Sequence, residues 1–195
     1  MDHRARTALY EQVFAAAIAA HERARRQDAA ALFEAAAAIV RAVRQGGKVL
    51  AFGNGGSAAD AQHLAAELVG RLERDRGAIA AVALSADASV VTAVANDAGF
   101  ERVFARQVEA LGRRGDVAVA ISTSGESPNV IAGAKAARAA GLVVVALTGR
   151  DGGALGRLAD IHVNVPEPGT ARAQEVHRTL LHVLCELVER DLDIG

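Results

Sequence analysis

No tryptophan, one tyrosine and five phenylalanines occur among the 195 residues. Aromatic platforms on which single-stranded bases stack are missing, so single-strand nucleic-acid binding is close to excluded. There is no excess of charge either. Twenty-two Lys and Arg stand against 23 Asp and Glu, a formal net charge of -1, so no broad cationic field exists to hold nucleic acid or anionic lipid. Cys185 is the single cysteine; no intrachain disulfide can form, an exported disulfide scaffold is excluded, and a cytoplasmic location is expected. Apolar runs such as Val143 to Leu147 fall far below the roughly 20 residues needed to span a bilayer. Met1 to Thr7 carries Asp2, His3, Arg4 and Arg6 with no apolar run behind them, so no signal peptide is expected.

What is present is a balance of 51% hydrophobic and 23% charged side chains, the balance of one soluble globular domain with one core. Up to Gln45 apolar residues recur at three- and four-residue spacing (Leu9, Val13, Ile18, then Leu32, Ala35, Ile39), which predicts two antiparallel helices. Asp28 can cap the second, and Gly46 and Gly47 stop it. Beyond Lys48 the grammar changes to apolar runs that end in turn residues and are followed by helical segments: Val49 to Phe52, Ile79 to Leu84, Val117 to Ser122, Leu142 to Leu147 and Ile161 to Val165. Runs without polar alternation suit strands covered by helices on both faces. The expectation is an α/β three-layer sandwich, an open five-stranded parallel sheet of flavodoxin-like kind, preceded by the N-terminal helices. In it residues 1–46 form a helical segment and 47–195 the α/β core of one domain. Ligands of such sheets sit at the carboxyl ends of the strands, in the loops after Phe52, Leu84, Ile121 and Leu147.

Gly53, Asn54, Gly55, Gly56, Ser57 and Ala58 also fit a dinucleotide-binding pattern between strand and helix, with Asp87 as a poorly placed ribose acid. The plainer reading is a tight turn with Ser57 as helix cap and Asp60 at the third helical position; a cap and a ligand contact do not exclude each other. The second loop, Ser122 to Pro128, gathers four hydroxyls at the start of a helix. Serine 127 alone would serve as a cap. Four hydroxyls exceed that need, and with the unpaired N–H groups of a helix end they favour an anion site. No Walker lysine is present, so a phosphomonoester fits better than a nucleoside triphosphate. His63 and Glu67 share one face of the helix after the glycine turn. Gln174, Glu175, His177 and His182 lie on another long helix. Gln174 and His182 are about 12 Å apart along its axis, near the geometric limit for one ion, and spacing alone does not establish a metal.

The loops Phe52-Gly-Asn-Gly-Gly-Ser-Ala-Ala-Asp-Ala-Gln-His63 and Ile121-Ser-Thr-Ser-Gly-Glu-Ser-Pro-Asn129 resemble those of the sugar isomerase (SIS) fold family. Ala95-Asn-Asp97, Leu147-Thr-Gly-Arg-Asp-Gly-Gly153 and Ala173-Gln-Glu-Val-His177 followed by His182 make the chain similar, from end to end, to the bacterial sedoheptulose-7-phosphate isomerases within it. The resemblance implies a homotetramer with active sites at subunit contacts. It would turn sedoheptulose 7-phosphate into D-glycero-D-manno-heptose 7-phosphate, toward the nucleotide-activated heptose of lipopolysaccharide. It implies a phosphate held by Ser122, Thr123, Ser124 and Ser127, and a sugar faced by Asn54, Gly55, Gly56, Ser57, Asn96, Asp97 and Gln174, with Arg71 near the substrate. One zinc per subunit is implied on His63, Glu67, Gln174 and His182, with Glu67 and His182 as the proton-transferring pair. Ala171 stands where some members carry an aspartate, and Arg172 beside it serves phosphate, subunit contact or surface.

Three rivals exist: a non-catalytic regulator of the same fold that binds the replication initiator, a phosphosugar-sensing module, and the nucleotide-binding reading. The regulator lacks the carboxylate and terminal imidazole that this chain keeps as Glu67 and His182. His3, His21 and His162 have no expected partner, and Cys185, in the stripe Leu181, Leu184, Val188, is expected as a small buried hydrophobe.

Overall fold

A computed structural model describes residues 1–192. Helix α1 (His3–Arg25) starts where the Asp2 carboxylate accepts from the Ala5 N–H at 2.8 Å. Helix α2 (Ala30–Arg44) begins with Asp28 accepting from Ala30 N–H at 2.9 Å, from just outside the cap position. Its Leu32, Ala35, Ala36, Ile39 and Val40 are buried, the three- and four-residue spacing of a core-facing stripe. The chain then turns at Gly46, whose φ of +77° suits a residue without Cβ.

Strand β1 (Val49–Gly53) leads to α3 (Gly56–Val69), β2 (Ala81–Ala83), α4 (Ala88–Ala98), a short turn of helix at Phe100–Arg102, and α5 (Val103–Leu111). Next come β3 (Val117–Ser122), α6 (Pro128–Ala139), β4 (Val143–Gly149), α7 (Gly153–Leu158), β5 (Ile161–Val165) and α8 (Thr170–Leu192). All pairings are parallel, in the order β2-β1-β3-β4-β5. The chain leaves β1 toward one edge and returns to β3 on its other side. A crevice opens at the carboxyl ends of those two strands.

Strand side chains alternate between two cores. Val49, Ala51, Val117, Val119, Ile121, Val145 and Leu147 face α2, α3 and α8; Leu50, Phe52, Ala118, Ala120, Val144 and Ala146 face α5 and α6. The expected three layers are therefore present. The unbroken apolar pattern holds only for the inner strands. At β5, Ile161, Val163 and Val165 are buried while His162 and Asn164 are half-buried. The expected strand over 79–84 is ladder-paired only at 81–83, because Ile79 N–H donates to Leu68 of α3 instead.

The N-terminal helices do not form the expected antiparallel pair, since α1 rests on α8 rather than along α2. Arg23 clasps Glu167 through two bonds of 2.7 and 2.9 Å, and Arg172 donates to the Val13 carbonyl at 2.7 Å. Ala20 is the buried residue of α1, whereas Leu9, Tyr10, Phe14 and Ile18 are half or more exposed.

At the far end of α8, Glu189 is buried and accepts from the backbone N–H groups of Leu72, Glu73 and Arg74 at 2.8 to 3.1 Å and from Arg76 Nε at 3.1 Å. Arg76 in turn donates to the carbonyls of Glu67 and Leu68 at the end of α3. Burial pushes the Glu189 carboxyl up, but the three backbone bonds and Arg76 outweigh it and hold it below its ordinary value. Removing one partner of such a buried network costs about 3–5 kcal/mol, so Glu189→Ala should lower the unfolding free energy extrapolated from urea titration by that amount. With a lowered folded pKa, the carboxylate's contribution is full above its unfolded value of 4.5 and is lost as pH falls through the folded value. Glu189→Gln should therefore flatten the acid limb of stability against pH; an unchanged limb would remove Glu189 from this role.

Candidate active site

The glycine turn after β1 is a matter of close approach. A Cβ on Gly53 would lie 2.7 Å from the Ile121 carbonyl of β3. Gly55, with φ +55°, occupies the cap position of α3. The expectation that Ser57 caps this helix is thus corrected: Ser57 sits inside its first turn, buried, and Asp60 pairs across to Arg178 of α8 at 2.6 Å. The side-chain amides of Asn54 and Asn129 exchange two hydrogen bonds of 2.8 Å, tying the turn to α6. Asn129 is a residue of α6 that no spacing rule pairs with Asn54, 75 positions away.

In the hydroxyl loop, Ser127 occupies the cap position of α6 without bonding the helix; its Oγ meets Ser122 Oγ at 3.0 Å. Ser124 Oγ lies 3.3 Å from Ser122 Oγ and accepts from Glu126 N–H. The plain cap reading therefore fails, and the hydroxyls turn toward one another. Gly125 makes this possible: a Cβ there would collide with the Gly152 carbonyl. Between the two loops lies a cavity of about 240 Å³, walled by Asn54, Gly55, Gly56 and Ser57, by Ser122, Thr123, Ser124 and Ser127, and by Thr170 and Gln174 at the start of α8. Three helices begin at its wall, so N–H groups and hydroxyls supply neutral donors for an anion. Thr170 carries no signal in the sequence, since a lone threonine after Gly169 has no partner at a regular spacing.

The second cluster lies along the same seam between α3 and α8. His63 Nε2 and His182 Nε2 are 2.7 Å apart, one ring donating to the other, and Glu67 Oε1 lies 3.4 Å from His63 Nε2. Burial holds the His63 imidazole below its ordinary pKa and the Arg178 charge adds to this, with Glu67 pulling the other way. The donors of His63, Glu67 and His182 lie within 4.8 Å of one another. Two imidazole nitrogens and a carboxylate are the ligand types that zinc takes, and the contact shows two ring nitrogens already converging on one proton, the arrangement an ion can replace. Gln174, the fourth expected ligand, lies against Gly56 at the cavity wall, where a Cβ on that glycine would meet its Nε2 at 2.5 Å.

Other expected site residues stand apart from the cavity in this single chain. Arg71 is exposed on the loop after α3. Asn96 and Asp97 are exposed at the end of α4, Asn96 donating to Asp97 at 2.8 Å. Asp87 is no ribose acid; it caps α4 by accepting from Val90 N–H at 3.0 Å. Two histidines expected without partners have them. His162 donates to Thr148 Oγ1 at 2.6 Å, and His21 bonds the Ala17 carbonyl and Thr179 Oγ1. His177 donates to the Thr148 carbonyl at 2.9 Å and is buried; burial lowers its pKa and leaves it a neutral strut. Cys185 is buried as expected, its thiol pushed up by burial to about 12.

A SIS domain family model matches residues 12–149. The phosphoheptose isomerase of Roseiflexus sp. (strain RS-1) is 56% identical over 154 residues, 79% of this chain and 78% of that protein. That of Neisseria gonorrhoeae (strain NCCP11945) is 49% identical over 189 residues, 94% of this chain and 96% of its own. Among solved structures, a phosphoheptose isomerase from Neisseria gonorrhoeae superposes with a TM-score of 0.88 at 47% identity, over 93% of this chain and 99% of that one. One from Francisella tularensis reaches 0.90 at 36% identity, over 97% and 100%. By its sheet order, its two converging loops and these likenesses over nearly its whole length, the chain belongs to the SIS domain family, among the phosphoheptose isomerases.

Proposed function

We propose that this isomerase interconverts sedoheptulose 7-phosphate and D-glycero-D-manno-heptose 7-phosphate through an enediol. The observation that carries the reading is the His63–His182 contact of 2.7 Å with Glu67 beside it, on the same α3–α8 seam as a hydroxyl-lined cavity. Ser122, Thr123, Ser124 and Ser127 grip the phosphate, with Ser57 and the helix starts behind them. Asn54, Gly55, Gly56 and Gln174 hold the sugar chain. The Glu67 carboxylate takes a proton from C1 and returns it to C2. The His182 imidazole receives the O1 proton and passes it to O2, so that hydrogen count and charge balance across the step. His63, Glu67 and His182, with Gln174, would hold one zinc per subunit, which when bound supplies a Lewis acid for the carbonyl oxygen. A carboxylate shared with a cation is a weaker base, so Glu67 works through its second oxygen or by leaving the ion during turnover.

The homotetramer belongs to the same proposal. The exposed apolar residues of α1 need a partner surface, and the exposed Arg71, Asn96 and Asp97 would be supplied to a site across a subunit contact. No helix among the described residues is long and apolar enough to cross a membrane, and with the lone buried thiol this supports a cytoplasmic enzyme serving surface-polysaccharide heptose.

In deuterated water, product from sedoheptulose 7-phosphate should carry deuterium at C2. Glu67→Gln should lower kcat by about 10²–10⁴ with KM within a few-fold, and chelation followed by zinc should abolish and restore turnover. Undiminished turnover by Glu67→Gln would end the role given to it. For the assembly, Tyr10→Glu combined with Phe14→Glu alters two rings in tilted contact, centroids 4.7 Å apart, on the exposed face of α1. Light scattering should show the tetramer broken into smaller species with helical circular dichroism retained, and activity should fall at least tenfold. A persisting tetramer would take α1 out of the interface.

A further inference from the structure

The glycine turn after β1 meets the start of α6 through a closed pair of amides. Asn54 Nδ2 donates to Asn129 Oδ1 and Asn129 Nδ2 donates back to Asn54 Oδ1, both at 2.8 Å. Asn129 Oδ1 accepts a second time, from the Val130 N–H at 3.0 Å, so both of its lone pairs are used. Asn54 walls the cavity; Asn129, 3% exposed, does not.

Such a pair has no direction of its own. Turning both amides over exchanges each nitrogen for an oxygen and leaves two N–H to oxygen bonds as before. The Val130 N–H removes that freedom. It belongs to the first turn of α6, where a helix has no carbonyl of its own to offer, and the Ile131 N–H already takes the Ser127 carbonyl. A backbone N–H only donates, so the Asn129 atom before it has to be oxygen; turned over, an amide nitrogen would face it, donor against donor. With Asn129 fixed, Asn54 can close the pair in one way only. One N–H and one oxygen lone pair of Asn54 then remain for a ligand, each in a fixed place.

We propose that Asn129 is a positioning residue: anchored by the Val130 N–H, it sets which end of the Asn54 amide, donor or acceptor, faces each point of the cavity wall, and so the hydrogen-bonding pattern that the sugar phosphate has to match. The inference rests on the isomerase reading above, in which Asn54 holds the sugar chain. Without this partner the Asn54 amide turns about its last torsion, a broad one with two nearly equivalent settings. In one of them a ligand oxygen that met a donor meets an acceptor, and choosing the other has to be paid in lost rotamer freedom when the ligand binds.

The test measures the cost of Asn54→Ala in three full-length backgrounds: the parent, Asn129→Ala and Asn129→Asp. The aspartate still offers an oxygen to the Val130 N–H and to Asn54 Nδ2, and a carboxylate suits a helix start, so that variant should melt within a few degrees of the parent; what it lacks is the donor to Asn54 Oδ1. Any effect of its charge on the phosphate is shared by both members of the comparison and cancels. In the parent, Asn54→Ala should lower kcat/KM for sedoheptulose 7-phosphate about tenfold, the cost of one lost hydrogen bond. In either Asn129 variant the same change should cost less than about twofold, because the amide is already misplaced. An equal cost in all three backgrounds overturns the proposal, since Asn54 would then be placed without Asn129. So does an Asn54→Ala that costs nothing in the parent. If Asn129→Ala fails to fold, the Asn129→Asp comparison decides alone. Should the parent bind sedoheptulose 7-phosphate without converting it, the isomerase reading falls, and the same comparison made in Kd by titration calorimetry decides the claim for Asn129.

Discussion

Two helices that lie more than a hundred residues apart in the chain, α3 and α8, have to run side by side for any of the site to exist. The apolar core under them supplies the force. Leu64 and Leu68 of α3 and Leu181, Leu184, Cys185 and Val188 of α8 are buried in one cluster with the sheet, and each such side chain contributes about 1.5–3 kcal/mol when removed from water. That term brings the helices together without saying how far along each other they lie. The polar contacts above it carry the geometry. Glu189 closes the seam at the far end by gathering three N–H groups of the loop that follows α3, so the end of α3, with Glu67 near it, is held from both sides.

The cavity at the near end is built from neutral donors rather than free cations. Basic groups close to the seam are engaged elsewhere: Arg178 with Asp60, Arg172 with Val13 and Glu175, Arg76 with Glu189. On the proposed reading the phosphate is then met by hydroxyls and by the starts of α3, α6 and α8, each helix start worth about half a positive charge. Because those dipoles are fixed by the fold, no side chain has to be ordered when the ligand binds. That lowers the entropy cost of binding while avoiding the strong charge pairing that would slow release.

Most of the fold could be read from residue patterns because its inner strands are apolar without interruption and each ends in a turn. The limits of that reading are equally physical. Ser57 looks like a cap by spacing, but the positive φ at Gly55 starts the helix two residues earlier, and nothing in a spacing rule reports φ. Strand β2 is short because the N–H of Ile79, at the start of the apolar run, donates to the Leu68 carbonyl of α3 and not to the neighbouring strand. Histidines 21 and 162 look alone in sequence because Thr179 and Thr148 reach them only through the fold. The Asn54–Asn129 exchange and the Asp60–Arg178 pair join elements whose separation in sequence carries no periodic signal. His63 and Glu67 were legible as a pair, since i,i+4 spacing is a property of one helix. Their meeting with His182 depended on a resemblance, since it is a property of two.

Helix α1 poses the converse case, a segment whose pattern is clear and whose packing in one chain is not. Its apolar residues recur at helical spacing, yet Leu9, Tyr10, Phe14 and Ile18 are half or more exposed. A lone amphipathic helix with this much apolar surface in water gains nothing from its own stripe, and its N-terminal half is held here by a cap at Asp2 and by Arg172 on the Val13 carbonyl. The C-terminal half is anchored by Arg23 on Glu167 and by His21 on Thr179. These are directional contacts that aim the helix without burying it. A helix fixed in direction and left uncovered is what an interface element needs, since the ordering cost is met before association and the apolar area is then free to contribute to it. Arg172 bonds both α1 and Glu175 one position past Gln174, so the same side chain that aims the exposed helix also steadies the turn of α8 that walls the cavity. On the proposed assembly, a single guanidinium joins the subunit contact to the site.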